Sequence, residues 1–394
     1  MPLRLAKPNA NPIMLTPESR NLHFPGLAAM TYLNTAAESV PPSCVGEAIR
    51  RYWEDKLCGM DGRESHFAHV EACREIAAKT VGLDSDEVSF CSCSSEAYNL
   101  LASALDMASE DEVVVSDLEF PAGATPWLRA ARPPHVRLWR ATPAGELLTD
   151  DLEPLLNVKT KLVQISLVSF YNGFRVQWAA LRDAVRRLAP AAVLAVDVTQ
   201  ALGRIRLDCE GADILISSTH KWTLGIHGGC VVGIPRASAS RLTTRAGGWL
   251  HLTNAFGPDR FQTANTKVGA ASFSVGMPNF VALYALNAAL RYLDEVGIEA
   301  IARHADPLVA SVASGLNELG VQLMTPYRPD RPAGIIAFRH SQSAQLEQAL
   351  RQENIHVMHH AGRIRIAVHG YNTSADIENL LSVLAISLAK GVAL

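Results

Sequence analysis

The chain has 394 residues, 48% of them hydrophobic and 19% charged, with a formal net charge of −3. That length exceeds one ordinary core and predicts a large domain with a smaller companion, while the near-neutral charge argues against nucleic acid or an anionic membrane as a partner. No apolar run reaches the roughly 18–20 residues of a membrane helix, Met1–Pro8 lacks a signal peptide's apolar core, and the seven cysteines form no CxxC pair. Neither a disulfide framework nor a metal site is therefore expected, and a reducing cytoplasm is the expected compartment.

In chain order, the first 30 residues contain five prolines and are expected to wrap a neighbouring surface. Apolar runs then alternate with amphipathic stretches. Strands are predicted at Val88–Cys93, Val113–Ser116, Leu162–Val168, Val193–Asp197, Ile214–Ser217 and Cys230–Ile234, with helices such as Glu96–Met107 and Leu181–Leu188 between them. This rhythm is that of βαβ units, so the fold class is α/β with a mostly parallel sheet covered on both faces. Helices follow at Tyr284–Val296 and Ile298–Leu319, the second expected to kink or split at Pro307. The remainder reads as a small α+β domain: strands at Gly334–His340 and Arg363–His369, a helix near Ser343–Asn354 and a last helix from Ser374 to about Lys390.

The chemistry concentrates at the ends of these runs. Lys221, in Ser218-Thr219-His220-Lys221, follows an apolar strand. A lysine there, beside a histidine and two hydroxyls, suits Schiff-base attachment of pyridoxal 5′-phosphate, with Ser218 and His220 near its phosphate. Asp197 ends the preceding strand and suits the ring nitrogen; taken alone it could equally be a capping carboxylate. Gln200, three residues on, is expected to donate to the ring 3-oxygen. Ser94 and Ser95 open a helix, where hydroxyls and free amides hold an anion, although serine also caps helices without one. Phe120 is placed to stack on the ring or, alternatively, in the core. Arg365 alternates with Arg363 on one strand face and suits a carboxylate, or an exposed strand edge.

These segments together resemble the class V aminotransferase family of fold-type I pyridoxal phosphate enzymes, from about Tyr32 to the C-terminus. The branch they resemble holds cysteine desulfurases, selenocysteine lyases and isopenicillin N epimerase-like proteins. Tyr32–Ala37 is similar to the family's opening segment near the substrate, which brings in Asn34 and Ala36; Ser94–Leu100 to its phosphate turn; Asp197–Gln200 to its Asp-x-x-Gln; Ser218–Lys221 to its Ser-x-His-Lys; and Arg365–Thr373 to the segment with its carboxylate-binding arginine. The resemblance implies a seven-stranded, mostly parallel sheet in a large domain over 30–285, a small domain from 1–29 and 286–394, an amino acid substrate and a homodimer. It also implies catalytic roles for Lys221, Asp197 and His220.

The departures bear on the reaction. Desulfurases of this branch carry a nucleophilic cysteine shortly before the arginine, but here the segment is His356–Gly362 and no cysteine follows Cys230. Phe120 replaces a histidine that moves protons. Ser272–Met277 loses the hydroxyl with which the family reaches a partner's phosphate. Phe170 stands where desulfurases have an asparagine, with Tyr171 and Asn172 adjacent, and Asn172 is expected near the substrate. The reading is C–S bond cleavage without a persulfide. The alternatives are epimerisation, transamination or decarboxylation-dependent deamination of a specialised amino acid, with His359, His360 or Tyr171 as a second proton donor.

Overall fold

The computed structural model describes residues 15–389. The Met1–Pro8 stretch and the first part of the proline-containing segment lie outside them. From Thr16 onward that segment wraps as expected. The short helix Pro17–His23 is capped by Thr16, Phe24 is buried against Tyr292 and Tyr371, and Arg20 pairs with Asp376 at 3.4 Å.

Strand β1 (Thr31–Tyr32) is followed by the seven strands of the large sheet: β2 (Val88–Cys91), β3 (Glu112–Ser116), β4 (His135–Trp139), β5 (Thr160–Ser166), β6 (Val193–Asp197), β7 (Ile214–Ser218) and β8 (Cys230–Gly233). Their order is β2-β8-β7-β6-β5-β3-β4, and only β8 runs antiparallel to its neighbours. The central strands read as unbroken apolar runs because both faces are covered. Val114, Val163, Leu194, Val196 and Leu215 pack in the core on one face, and Val113, Leu162, Ala195, Ile214 and Ile216 in the core on the other. Edge strand β4 is polar on alternate positions and escaped the apolar-run reading. The long helices Ser43–Leu57 and Arg63–Val81 were also not anticipated; they pack against the helix Phe280–Val296.

The small domain carries a second sheet of β9 (Ile335–Arg339), β11 (Met358–His360) and β12 (Arg363–Ala367), all antiparallel, while β10 (Ile355–His356) pairs with β1. Helix Phe280–Val296 runs continuously past residues 285 and 286, and its Leu283, Leu286 and Leu290 belong to the core that packs on the large sheet. One expectation is corrected here. The helix Ile298–Glu318 runs uninterrupted past Pro307. Pro307 and Arg303, whose carbonyl loses its partner, are both on the exposed side. Ile301, Ala305, Val309, Val312 and Leu316 bury the opposite face and outweigh the ~3 kcal/mol cost of an internal proline. The buried guanidinium of Arg204 pins the domains together, pairing with Asp306 at 2.7 Å and donating to the Val368 carbonyl at 3.0 Å.

Candidate active site

In the sheet order, β3 and β5 are the neighbours whose following connections lead to opposite sides, to β4 and to β6. Such a switch opens a crevice beyond the carboxyl ends of the strands. The predicted residues converge on this edge. Ser166, Asp197 and Ile216 are in register on adjacent parallel strands, so the Asp197 carboxylate and the segment after Ser218 emerge side by side.

Asp197 is buried and held from two directions. Its Oδ2 accepts a 2.7 Å hydrogen bond from the Tyr98 hydroxyl, and its Oδ1 accepts from the Thr199 amide at 2.8 Å. Burial first, then the Asp197 charge, pushes the Tyr98 phenol well above its ordinary value, so it stays a donor. Lys221 is half-buried, and its amine forms no hydrogen bond or ion pair among the described residues. Burial first, and Arg365 among the neighbouring charges, lowers its pKa, with Asp197 and Glu38 opposing. Its Nζ lies 5.4 Å from the centroid of Phe120. Phe120 is 46% exposed, an uncovered aromatic face rather than a core residue, and Phe170 packs edge-on to it at 5.1 Å.

The residues expected at the phosphate are also brought together. The Ser218 hydroxyl donates to Ser94 Oγ at 3.1 Å, and the Ser218 amide donates to Thr199 Oγ1 at 3.1 Å. Ser94 opens the 12-residue helix Ser94–Leu105, whose N-cap, Cys93, supplies no side-chain bond to the first turn. Ser95 is exposed beside it. His220 stacks on His227 at 4.3 Å, and His227 in turn reaches Glu38 at 3.1 Å. Burial, with help from Lys221 and His227, pushes His220 down to about 4, so its ring is neutral near pH 7 until an anion arrives.

Gln200 is committed more fully than expected. Its Nε2 donates to the Ala36 carbonyl at 3.0 Å and its Oε1 accepts from Trp222 at 2.6 Å, leaving one Nε2 hydrogen for a ring oxygen. Ala36 therefore enters the site through its backbone. Asn34 bridges Ala367, close in sequence to Arg365, and its Oδ1 is buried with no partner. Arg365 is 3% exposed and donates through Nη1 to the Phe170 carbonyl at 2.7 Å, while its Nε has no partner. Burial first, then Arg363, pushes it down to about 9. It is thus a buried cation beside the lysine, not an exposed edge residue.

Two expected residues do other work. Asn172 spends its amide on the carbonyls of Gly145 (2.8 Å) and Met324 (3.5 Å), and its Oδ1 accepts from Phe174, so it braces a turn instead of facing a substrate. The adjacent Gly173, at φ +77°, lies so close to Ile335 that a Cβ would come within 2.5 Å of its carbonyl oxygen. His359 bonds Ser343 at 3.0 Å on the face of β11 opposite Arg365, so it cannot serve as the second proton donor there. A residue that sequence reasoning missed is Glu119. It is 3.0 Å from Ser116 Oγ, 2.8 Å from the Ser166 amide and 2.7 Å from Ser166 Oγ, and so ties the ends of β3 and β5 together directly before Phe120. Burial pushes its carboxyl up to about 7 against these hydrogen bonds.

A buried carboxylate, a free amine over an open aromatic face, and paired hydroxyls at an uncapped helix start fit one group, pyridoxal 5′-phosphate. With this sheet they define a fold-type I enzyme dependent on that cofactor. Residues 31–380 match the aminotransferase class-V family, and the chain belongs to that family. It is similar to an uncharacterised aminotransferase, YcbU, of Bacillus subtilis (27% identity, covering 94% of this chain and 97% of that protein). It is also similar to a probable cysteine desulfurase of Mycoplasma pneumoniae (27% identity, 89% and 90%). Its fold matches that of a cysteine desulfurase from Thermococcus onnurineus with a TM-score of 0.85 at 23% identity, covering 95% and 98% of the two chains.

Proposed function

We propose that the enzyme cleaves a carbon–sulfur bond in a cysteine-derived amino acid by β-elimination, without a protein persulfide. The observation that carries this reading is the segment before Arg365. Where a persulfide-forming enzyme needs a cysteine, β11 and β12 are joined by the tight turn Ala361-Gly362, at φ +51° and +77°, and no cysteine follows Cys230. No thiol stands in this segment to accept sulfur, so on this reading sulfur leaves with its own substituent.

The bound cofactor would supply an electron sink for charge developing at the substrate α-carbon. Asp197 would keep the ring nitrogen protonated, itself fixed by Tyr98 and Thr199. Ser94, Ser95, Ser218 and His220 would hold the phosphate, Phe120 the ring face and Gln200 the 3-oxygen. Arg365 would clamp the substrate carboxylate. Lys221, its pKa lowered by burial, would take the α-proton as general base. The Cβ–S bond then breaks with its electron pair on sulfur, and water converts the three-carbon fragment to pyruvate and ammonia.

Phe256, Phe261, Val268 and Met277, exposed on the 247–277 segment, favour a covering partner, and we take the enzyme to be a homodimer in a reducing cytoplasm. The test is pyruvate release from a panel of S-substituted cysteines, cystine and cysteine sulfoxides. Release that disappears in Lys221→Ala supports the reading. No release from any of them, with α-proton exchange or carbon dioxide loss from other amino acids, replaces it.

A further inference from the structure

The face of the small sheet that holds Arg365 carries more positive charge than one α-carboxylate requires. Register places His360, Arg363 and Arg339 side by side across β11, β12 and β9, with Met358, Arg365 and Ala337 forming the next row. Arg363 and Arg365 alternate on β12 and so share this face, about 6–7 Å apart along the strand. The opposite face, with Ile336, Phe338, Ile364 and Ile366, is the small-domain core.

Like charges directly opposite on neighbouring strands are destabilising, and no acidic side chain neutralises them here. Among the described residues, no carboxylate lies within ion-pair distance of Arg339, Arg363 or Arg365. Arg363 is 4% exposed, yet it makes one hydrogen bond, from Nη1 to the Tyr171 carbonyl at 2.7 Å, and its Nε is buried without a partner. Its guanidinium lies 4.2 Å from the Tyr171 ring centroid, and the Tyr171 hydroxyl accepts from Arg339 at 2.6 Å. Tyr171 thus holds two cations in place without neutralising either. Burying a guanidinium with unused donors is costly unless an anion completes it.

We propose that Arg363, supported by Arg339, binds a second anionic group at the end of the substrate's side chain, so that the substrate is an α-amino acid with a distal anion such as a carboxylate. This rests on the reading above that Arg365 takes the α-carboxylate. It adds that the substituent leaving on sulfur is itself acidic. The spacing of the two arginines along β12 suits two anions joined by a short carbon chain.

The test uses unreactive probes on the cofactor-loaded enzyme: glutarate, with two carboxylates, and butyrate, with one, compared by calorimetric titration. Glutarate is expected to bind at least about tenfold more tightly, the worth of one charge-assisted contact to a buried arginine. Arg363→Gln should bring that ratio near one while leaving butyrate affinity within about twofold, whereas Arg365→Gln should weaken both probes. Arg339→Gln, at an exposed position, should lower the ratio part-way and serves if Arg363→Gln does not fold. Equal binding of the two probes by the unmodified enzyme overturns the proposal, as does a ratio that survives both Arg363→Gln and Arg339→Gln. Turnover is not needed, so a failed pyruvate assay with glutarate selectivity intact would reject the reaction and keep the substrate class. Pyruvate release from neutral S-alkyl cysteines without glutarate selectivity would do the reverse.

Discussion

The two sides of the crevice treat charge differently. On the large-sheet side, buried acids are saturated: Asp197 is held by Tyr98 and Thr199, and Glu119 by Ser116 and Ser166. On the small-sheet side, Arg363 and Arg365 each spend one nitrogen on a carbonyl and leave Nε unpaired. A site that receives the same cofactor in every turnover gains from groups locked beforehand, because reorganisation is then avoided. A site that receives and releases a substrate needs donors left open. On the function proposed above, the difference separates a resident-ligand wall from an exchanging-ligand wall within one crevice.

The largest expected effect is on the locked wall. Lys221→Ala should lower turnover by roughly 10³-fold or more, combining loss of the attachment point with loss of the general base. The absorbance of attached cofactor in the visible range should vanish with it. Persistence of both signals would move the chemistry elsewhere. Next comes the open wall: Arg365→Gln should cost about 2–5 kcal/mol, seen as a rise in KM and a fall in kcat/KM for every amino acid substrate. An unchanged KM would show that the α-carboxylate is held by another group.

The locked wall was the more legible in the chain. Asp197 and Lys221 each close a run of apolar residues, and burial on both faces makes such runs readable without knowing which strands pair. The contacts that lock this wall were not legible. Tyr98 meets Asp197 from 99 positions away, and Glu119 meets Ser166 from 47; such contacts follow from strand order, which periodicity does not encode. The open wall was half legible. Alternation put Arg363 and Arg365 on one face, but Arg339 joins them only through antiparallel pairing across the sheet. Asn172 misled because an asparagine beside a glycine suits both a ligand contact and a turn, and close packing against Ile335 selects the turn.

Glu119 tests the locked wall through pH. Its folded-state carboxyl is raised to about 7 from an ordinary 4.5, chiefly by burial. A raised pKa stabilises the fold fully below about 4.5, and that contribution is lost as pH rises through 7. Glu119→Gln keeps the geometry, since the amide can accept from Ser116 and the Ser166 amide and donate to the Ser166 hydroxyl. The variant should lose less stability than the unmodified enzyme between pH 5 and pH 8, by up to about 3 kcal/mol. Thermal unfolding at the two pH values measures this, and parallel curves would show that Glu119 is ionised throughout.

Tyr98→Phe is the smallest change and the sharpest on the comparison. It removes one hydroxyl that touches no substrate and leaves the ring in its buried place between Gln164 and Asp197. If the locked wall matters through preorganisation, the lost 2.7 Å bond leaves one Asp197 oxygen unsatisfied, at a cost of about 1–3 kcal/mol. Part of that cost appears as a weaker hold on the ring nitrogen. The expected signature is a fall in kcat of about 5–100-fold with KM nearly constant, together with a shifted pH dependence of the cofactor's absorbance. A variant that loses thermal stability but keeps kcat and the absorbance titration would assign Tyr98 to packing alone, and the contrast between the walls would then rest on Thr199.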